Sequence, residues 1–320
     1  MLNVVLLASG LALLTVGGES IIRGALAAAT RLKISPLLAG IVIVGFGTSA
    51  PELVVTINAV ITDRADIAIG NIIGSNISNI MLILGLCALI TPLTVQRLSL
   101  QRDGLTGVGG GVLFVLLTGT AVLSRVDALI LLSVLTVYLV FAYRSERTLD
   151  APTASSALAQ LEELASLAIA PRLILLYLIG GGLLLAAGAR LLLSGAIGIA
   201  ETFNVPDAVI GLTLVAVGTS LPELAVSLLA ALRRQADLAV GNILGSNIFN
   251  LLAVLGIAAM LQPLPVAARI VHFDQWVMLG ASIILMLILY TGLRISRWEG
   301  AVLLGAYGIY IWLSFTRFLM

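Results

Sequence analysis

The sequence predicts an all-α membrane protein of ten transmembrane helices, built as two inverted-topology repeats of five. Three observations carry that expectation. Hydrophobic residues make up 60% of the 320 and charged residues only 10%, a balance foreign to water-soluble globules. Apolar runs of about 20 residues, each able to cross a hydrocarbon core of ~30 Å, recur from end to end. One polar pattern, GTSxPEL followed by GNxxGSNxxN, occurs twice, from Gly47 to Asn79 and from Gly218 to Asn250, with every matched position offset by 171 residues.

In chain order the spans fall at 2–29, 36–62, 67–91, 104–123, 127–143, 172–200, 207–232, 238–261, 271–292 and 299–319. The first has neither a basic leader nor a small-residue cleavage site, so it reads as a span and not a signal peptide. Basic residues then set the orientation. Eleven of them (Arg31, Lys33, Arg97, Arg102, Arg144, Arg147, Arg172, Arg233, Arg234, Arg294, Arg297) fall on one set of loops, against Arg64, Arg125, Arg269 and Arg317 on the other set and the termini. The richer side is assigned to the cytoplasm. The expectation is a multi-pass protein of the cell inner (plasma) membrane with both termini outside, functional as a monomer. A net charge of +1 identifies no partner beyond the bilayer, and no nucleic acid is expected. Cys87 is the single cysteine and reads as a packing residue. His272, beside Asp274 and Trp276 at a span boundary, reads as an interfacial anchor.

Residues 41–86 and 212–257 align without a gap and share 22 identities in 46 positions. Gly17 and Gly24 match Gly188 and Gly195 at the same offset. The chain therefore divides into a first repeat (1–143), a cytoplasmic linker (144–171) and a second repeat (172–320). Because five is odd, the second copy inserts upside down relative to the first, a plan shared by many secondary transporters. The linker carries Glu146, Asp150, Pro152, Glu162 and Glu163 and has room for a short amphipathic helix near 156–168.

Within the repeats, Thr48, Ser49 and Glu52 stand at i, i+1 and i+4, which gathers them on one helical face. Pro51 lacks an N–H and displaces the carbonyl one turn earlier. A kink with backbone carbonyls free to face a ligand is predicted, which adds Gly45 and its counterpart Ala216 to the candidates. Thr219, Ser220, Pro222 and Glu223 repeat the set. A packing kink would explain the prolines but not two acids, each of which costs about 3 kcal/mol in lipid. In the next span Asn71, Ser75 and Asn79 form one stripe, copied by Asn242, Ser246 and Asn250. Ser75, Asn79, Ser246 and Asn250 are read as ligands. For Asn71, Asn76, Asn242 and Asn247, ligation and helix–helix hydrogen bonding both stay open. Glu19 and Arg23, at i,i+4, read as a self-compensated pair, and Arg190 as a snorkelling side chain.

Every candidate donor is oxygen, which serves soft transition metals poorly. Flexible multidentate oxygen suits Ca²⁺ and also Na⁺, whereas Mg²⁺ prefers to keep its waters. Two ionised carboxylates are neutralised equally by one Ca²⁺ or by two Na⁺, a physical basis for exchange at a shared site. The sequence holds no glycine-rich phosphate loop for ATP, no cofactor motif and no separate nucleophile and base. It is not read as an enzyme, and the inverted repeat argues against a passive channel.

At these motifs, GTSAPEL with GNIIGSNISN and GTSLPEL with GNILGSNIFN, the chain resembles the sodium/calcium exchangers of the calcium/cation antiporter superfamily, in their short prokaryotic form. The resemblance covers essentially all ten spans. It implies Na⁺/Ca²⁺ antiport by alternating access at four adjacent midplane sites, with a proton- or potassium-coupled exchanger as the alternative. It further implies Glu52 and Glu223 as central shared ligands, flanked by Thr48, Ser49, Ser75, Thr219, Ser220 and Ser246 and completed by Asn79 and Asn250. The long first and sixth spans would slide against the rest. Some relatives carry Asp where Asn250 stands, so here only two acids remain at the centre.

Overall fold

The computed structural model describes residues 2–32, 34–95, 100–147, 170–203 and 218–318. Its helices are α1 (Leu2–Leu32), α2 (Pro36–Thr48), α3 (Ala50–Ile61), α4 (Ala65–Ile90), α5 (Gln101–Thr120), α6 (Arg125–Arg147), α7 (Pro171–Thr202), α8 (Leu221–Leu232), α9 (Ala236–Leu261), α10 (Ile270–Gly292) and α11 (Arg297–Phe318). Among the described residues seven of these are long and apolar enough to cross a membrane, and the bent pair α2–α3 adds an eighth. The fold is therefore an all-α, multi-pass membrane fold. Most of the expected linker, including the segment near 156–168, lies outside the described residues, as do Lys33, Arg97 and Ala216.

Burial follows the polar pattern. α4 and α9, which carry the two asparagine stripes, are enclosed along most of their length, whereas α1, α5, α6 and α7 leave most of their apolar surface uncovered. That is the reverse of a soluble bundle and matches a lipid-facing ring around a polar centre. Four two-residue strands tie the helix ends together. Leu93–Thr94 (β1) pairs with Arg294–Ile295 (β4), and Val122–Leu123 (β2) with Leu264–Pro265 (β3), both antiparallel. Each bridge joins two loops that the basic-residue count places on one side.

Local contacts recur between the halves. The helix starts at α6 and α11 carry matching caps: Asp127 accepts from the Ser124 backbone N–H at 2.7 Å, and Glu299 accepts from that of Ser296 at 2.7 Å. Such reciprocal boxes satisfy backbone donors that a helix start leaves orphaned. Buried Asp103 accepts from the Tyr138 hydroxyl at 3.0 Å and pairs with Arg102, while Asp274 accepts from Tyr310 at 3.1 Å and pairs with Arg269. Asp63 and Arg234, 171 apart, both take left-handed backbone angles, with φ 57° and 59°.

The long α1 and α7 run antiparallel along a glycine seam. A Cβ on Gly17 would stand 2.8 Å from the Leu185 nitrogen and one on Gly188 2.8 Å from that of Leu14, so only glycine permits this approach. Glu19 on α1 is not confined to its own helix. It pairs with Arg23 at 2.6 Å as expected, but also with Arg233, beyond the end of α8, at 2.6 Å.

The tightest crossing lies nearer the centre, where α2 meets α9. A Cβ on Gly241 would approach the Leu37 carbonyl oxygen at 2.6 Å, and one on Gly245 would run into the Ile41 carbonyl. Neither neighbour is a flexible side-chain tip, so the helices themselves would have to part. Gly245→Ala is expected to lower stability by about 1–3 kcal/mol, the usual range for overpacking. Gly182→Ala, with no atom within 4 Å of the new methyl, should be neutral. Thermal unfolding of the two purified variants in detergent checks the contrast, and equal melting temperatures would refute the close-packing argument.

Candidate functional site

The site begins at two interruptions. α2 stops at Thr48, Ser49 breaks the helix, and α3 resumes at Ala50 with its axis turned by 41°. Ser49 lies at φ −78°, ψ 1° and Ser220 at φ −86°, ψ 8°, in the sparsely occupied bridge region. Pro51 and Pro222 fall in the first turn that follows, where a missing N–H is harmless and the fixed φ fits. The prolines thus start new helices where the sequence reading expected kinks in continuous ones. The consequence is electrostatic. Glu52 and Glu223 each occupy the first turn of a helix, the end whose dipole and unpaired N–H groups favour negative charge.

Both glutamates are fully buried, at 0% exposure. None of their four carboxylate oxygens has a hydrogen-bond partner, and neither do Ser49 Oγ, Asn79 Oδ1 or Asn250 Oδ1. Ser314 Oγ on α11 is the other buried polar atom in that condition among the described residues. An orphaned buried acceptor costs about 1–3 kcal/mol, more when charged. Six of the seven clustered atoms are pure acceptors, and a cation is the ligand that satisfies them together. The donor set therefore fits a hard cation bound by oxygen. Among the described residues no three His, Cys, Asp or Glu side chains gather, so hydroxyls, amides and carbonyls must complete any coordination.

The flanking groups come from across the molecule. Thr219 stands beside Glu52, while Thr48, Ser49 and Ser246 stand beside Glu223, and the two carboxylates repel each other. Thr48 donates to Asn242 Oδ1 at 3.0 Å and lies 3.2 Å from Ser246 Oγ. The Gly45 carbonyl accepts from the Ser49 N–H at 3.0 Å and lies 3.4 Å from both Thr48 Oγ1 and Ser246 Oγ. Ser220 is buried and meets the Ser78 hydroxyl at 3.5 Å. Ser75 is buried on α4, one helical turn before Asn79. Ala216 lies outside the described residues.

Asn79 and Asn250 each open a widened i→i+5 turn, Asn79–Leu84 and Asn250–Val254, a local form enriched at functional sites. Asn79 Nδ2 donates to Asn247 Oδ1 at 2.9 Å, and Asn250 Nδ2 donates to Asn76 Oδ1 at 3.1 Å. Asn76 and Asn247 in turn donate to each other's backbone carbonyl at 3.3 Å. The sequence reading did not single out Thr56 or Ser227. Asn71 donates to Thr56 Oγ1 at 3.4 Å and Asn242 to Ser227 Oγ at 2.9 Å. Their spacing from the glutamates, Glu52 to Thr56 and Glu223 to Ser227, puts one hydroxyl a helical turn past each acid and was the available signal.

The description of the matching family is sodium/calcium exchanger protein, and it covers residues 2–144 and 173–316. The chain is 38% identical over 312 residues to the putative antiporter CaxA of Alkalimonas amylolytica, covering 96% of this chain and 97% of that one. It is 32% identical to the sodium/calcium exchanger MaX1 of Methanosarcina acetivorans, covering 95% and 96%. The solved structure of the sodium-calcium exchanger NCX_Mj soaked with zero Na⁺ and Ca²⁺ superposes with a TM-score of 0.81 at 32% identity, over 97% of this chain and 98% of that one.

Neutralising one glutamate should have opposite effects with and without a cation. Glu52→Gln or Glu223→Gln removes one of two repelling buried charges, so the variant should melt higher than the parent in ion-free buffer. With Ca²⁺ at 100 times its Kd, the parent gains about 2.7 kcal/mol from binding, and the variants should lose that gain. Melting curves with and without Ca²⁺ measure both signs. A Ca²⁺-induced shift that survives either substitution would remove that glutamate from the site.

Proposed function

The chain belongs to the sodium/calcium exchanger family, and from that premise we propose that it moves Ca²⁺ against Na⁺ by alternating access at the cage between Glu52 and Glu223. It is an ion antiporter and not an enzyme, with Na⁺ and Ca²⁺ as cargo and no cofactor. One observation carries the site assignment: four carboxylate oxygens and two amide oxygens, all buried and all unpartnered, belong to two equivalent motifs whose side chains bond across to each other. Glu52 and Glu223 are the shared ligands. Thr48, Ser49, Ser75, Asn79, Thr219, Ser220, Ser246 and Asn250 supply the flanking side-chain oxygens, and Gly45 and Ala216 supply carbonyls.

The architecture we infer is ten spans in two inverted repeats, 1–143 and 172–320, joined by the linker 144–171. Its support is the exchange of contacts under the 171-residue offset. Thr48 donates to Asn242 as Thr219 does to Asn71, and Asn79 donates to Asn247 as Asn250 does to Asn76. A contact that maps onto itself with its partners swapped is what a two-fold axis in the membrane plane produces. α2–α3 form the second span, and α8 belongs to the seventh. The termini face outward from an inner (plasma) membrane, in keeping with the basic-residue bias and with bridges that join loops of one predicted side. The glycine seam packs α1 directly against α7, so that the two long helices can slide as one pair against the rest. A single chain contains the whole cage, so a monomer suffices.

Reconstituted proteoliposomes with Na⁺, K⁺ and H⁺ gradients imposed separately decide the coupling ion. An imposed Na⁺ gradient should drive ⁴⁵Ca²⁺ uptake, while pH and K⁺ gradients alone should not. Uptake that ignores Na⁺ and follows pH or K⁺ would replace this reading with a proton- or potassium-coupled exchanger.

A further inference from the structure

Four asparagines of the two motifs, Asn71, Asn76, Asn242 and Asn247, touch the cage without contributing an unpartnered atom to it. Each shows the same wiring. Its Nδ2 is committed to groups other than the glutamate carboxylates: Asn76 and Asn247 donate to each other's backbone carbonyls, Asn71 to Thr56, and Asn242 to Ser227 and the Glu223 backbone carbonyl. Its Oδ1 then accepts from a residue that lines the cage. Asn247 accepts from Asn79, Asn76 from Asn250, Asn242 from Thr48 and Asn71 from Thr219.

The polarity of these bonds matters. A primary amide is donor at one end and acceptor at the other, and a hydroxyl has one hydrogen to give. An Asn79 or Asn250 free to rotate could aim its NH₂ at the glutamates, form hydrogen bonds and repel a cation. With Nδ2 held by Asn247 or Asn76, only Oδ1 is left to face the cage, and both Oδ1 atoms are the unpartnered ones. The Thr48 and Thr219 hydroxyls likewise lie within donating distance of Asn242 and Asn71 Oδ1, at 3.0 and 3.4 Å, and a hydrogen given there leaves lone pairs for the interior. We propose that Asn71, Asn76, Asn242 and Asn247 are positioning residues that hold the ligands of the cage in acceptor-only polarity, so that the cage admits cations and cannot satisfy itself internally. The proposal rests on the reading of the Glu52–Glu223 cage as the ion site.

It predicts effects on ion affinity that pass through specific partners. Outer-shell partners of metal ligands typically account for 10–100-fold in affinity. Asn247→Ala should therefore raise the KM for Ca²⁺ in Na⁺-driven ⁴⁵Ca²⁺ uptake by roughly tenfold or more, beyond the stability it costs by orphaning the Asn79 Nδ2 and the Asn76 carbonyl. In a double-mutant cycle, adding Asn247→Ala to Asn79→Ala should cause little further loss, because the residue it acts through is already gone. Asn242→Leu with Thr48→Val should show the same saturation. The crossed pair Asn79→Ala with Asn242→Leu, which shares no hydrogen bond, should multiply to within about twofold.

A KM for Asn247→Ala within twofold of the parent, or losses for Asn79 and Asn247 that simply multiply, would overturn the proposal. Should Asn247→Ala fail to fold, the Asn242 and Thr48 cycle decides by the same criteria. Glu52→Gln and Asn79→Ala are the controls for the underlying reading. If they transport Ca²⁺ like the parent, the cage assignment itself fails. If they lose affinity while the asparagine partners do not, only the positioning role fails.

Discussion

Two carboxylates held close together in an apolar bundle, their oxygens met by no hydrogen bond, form the constraint around which this protein is organised. Glu52 and Glu223 are fully buried, and in a low-dielectric interior unpaired charges of one sign are costly unless neutralised. A protein that wanted only stability would put a lysine or an amide donor there. This one places both acids at helix starts, where the dipole offers partial relief, and leaves the remainder of the deficit to a mobile cation.

The crossed arrangement of the motifs follows from the same need. Thr48 comes from the first motif and stands beside Glu223 of the second, while Thr219 stands beside Glu52. Neither half could build a cage alone, because each acid takes flanking oxygens from the other copy. For the copies to meet, α2 must approach α9 at backbone distance, and the glycines at 241 and 245 on α9 make that possible. A wedge at that crossing would separate Thr48 from Ser246 and Asn242, now within 3.2 Å. Packing and ligation are therefore inseparable at the centre. At the periphery they are independent, and there α5, α6 and α7 bare apolar surface with little consequence for the site.

Much of this was legible in the sequence because the medium is demanding. A bilayer tolerates few polar groups, so those present stand out, and their duplication at a fixed offset identifies which of them act together. The glutamates, the hydroxyls and Asn79 with Asn250 became candidates on that ground. Features that depend on three-dimensional direction were not legible. Pro51 predicts a disturbance, but only the structure distinguishes a kinked helix from a stop at Ser49 and a fresh start at Ala50. The i→i+5 turns at Asn79 and Asn250 leave no mark in composition. Glu19 pairs visibly with Arg23 by spacing, whereas its second partner, Arg233, lies 214 positions away and could not be guessed. Above all, an asparagine in a sequence carries no sign of which end of its amide faces inward.

That last point bears on the charge of the cage. Positions 79 and 250 are both amides, and their Nδ2 atoms point at Asn247 and Asn76 oxygens at 2.9 and 3.1 Å. An aspartate at 250 would set a carboxylate oxygen against the Asn76 Oδ1, acceptor against acceptor. Relief would require either a proton on that aspartate or a reversal of the Asn76 amide. Reversing Asn76 would break its bond to the Asn247 carbonyl, and through Asn247 it would disturb Asn79 on the opposite side. The network is therefore consistent only with a neutral residue at both positions, which fixes the side-chain charge of the cage at the two glutamates. One Ca²⁺ or two Na⁺ balance it.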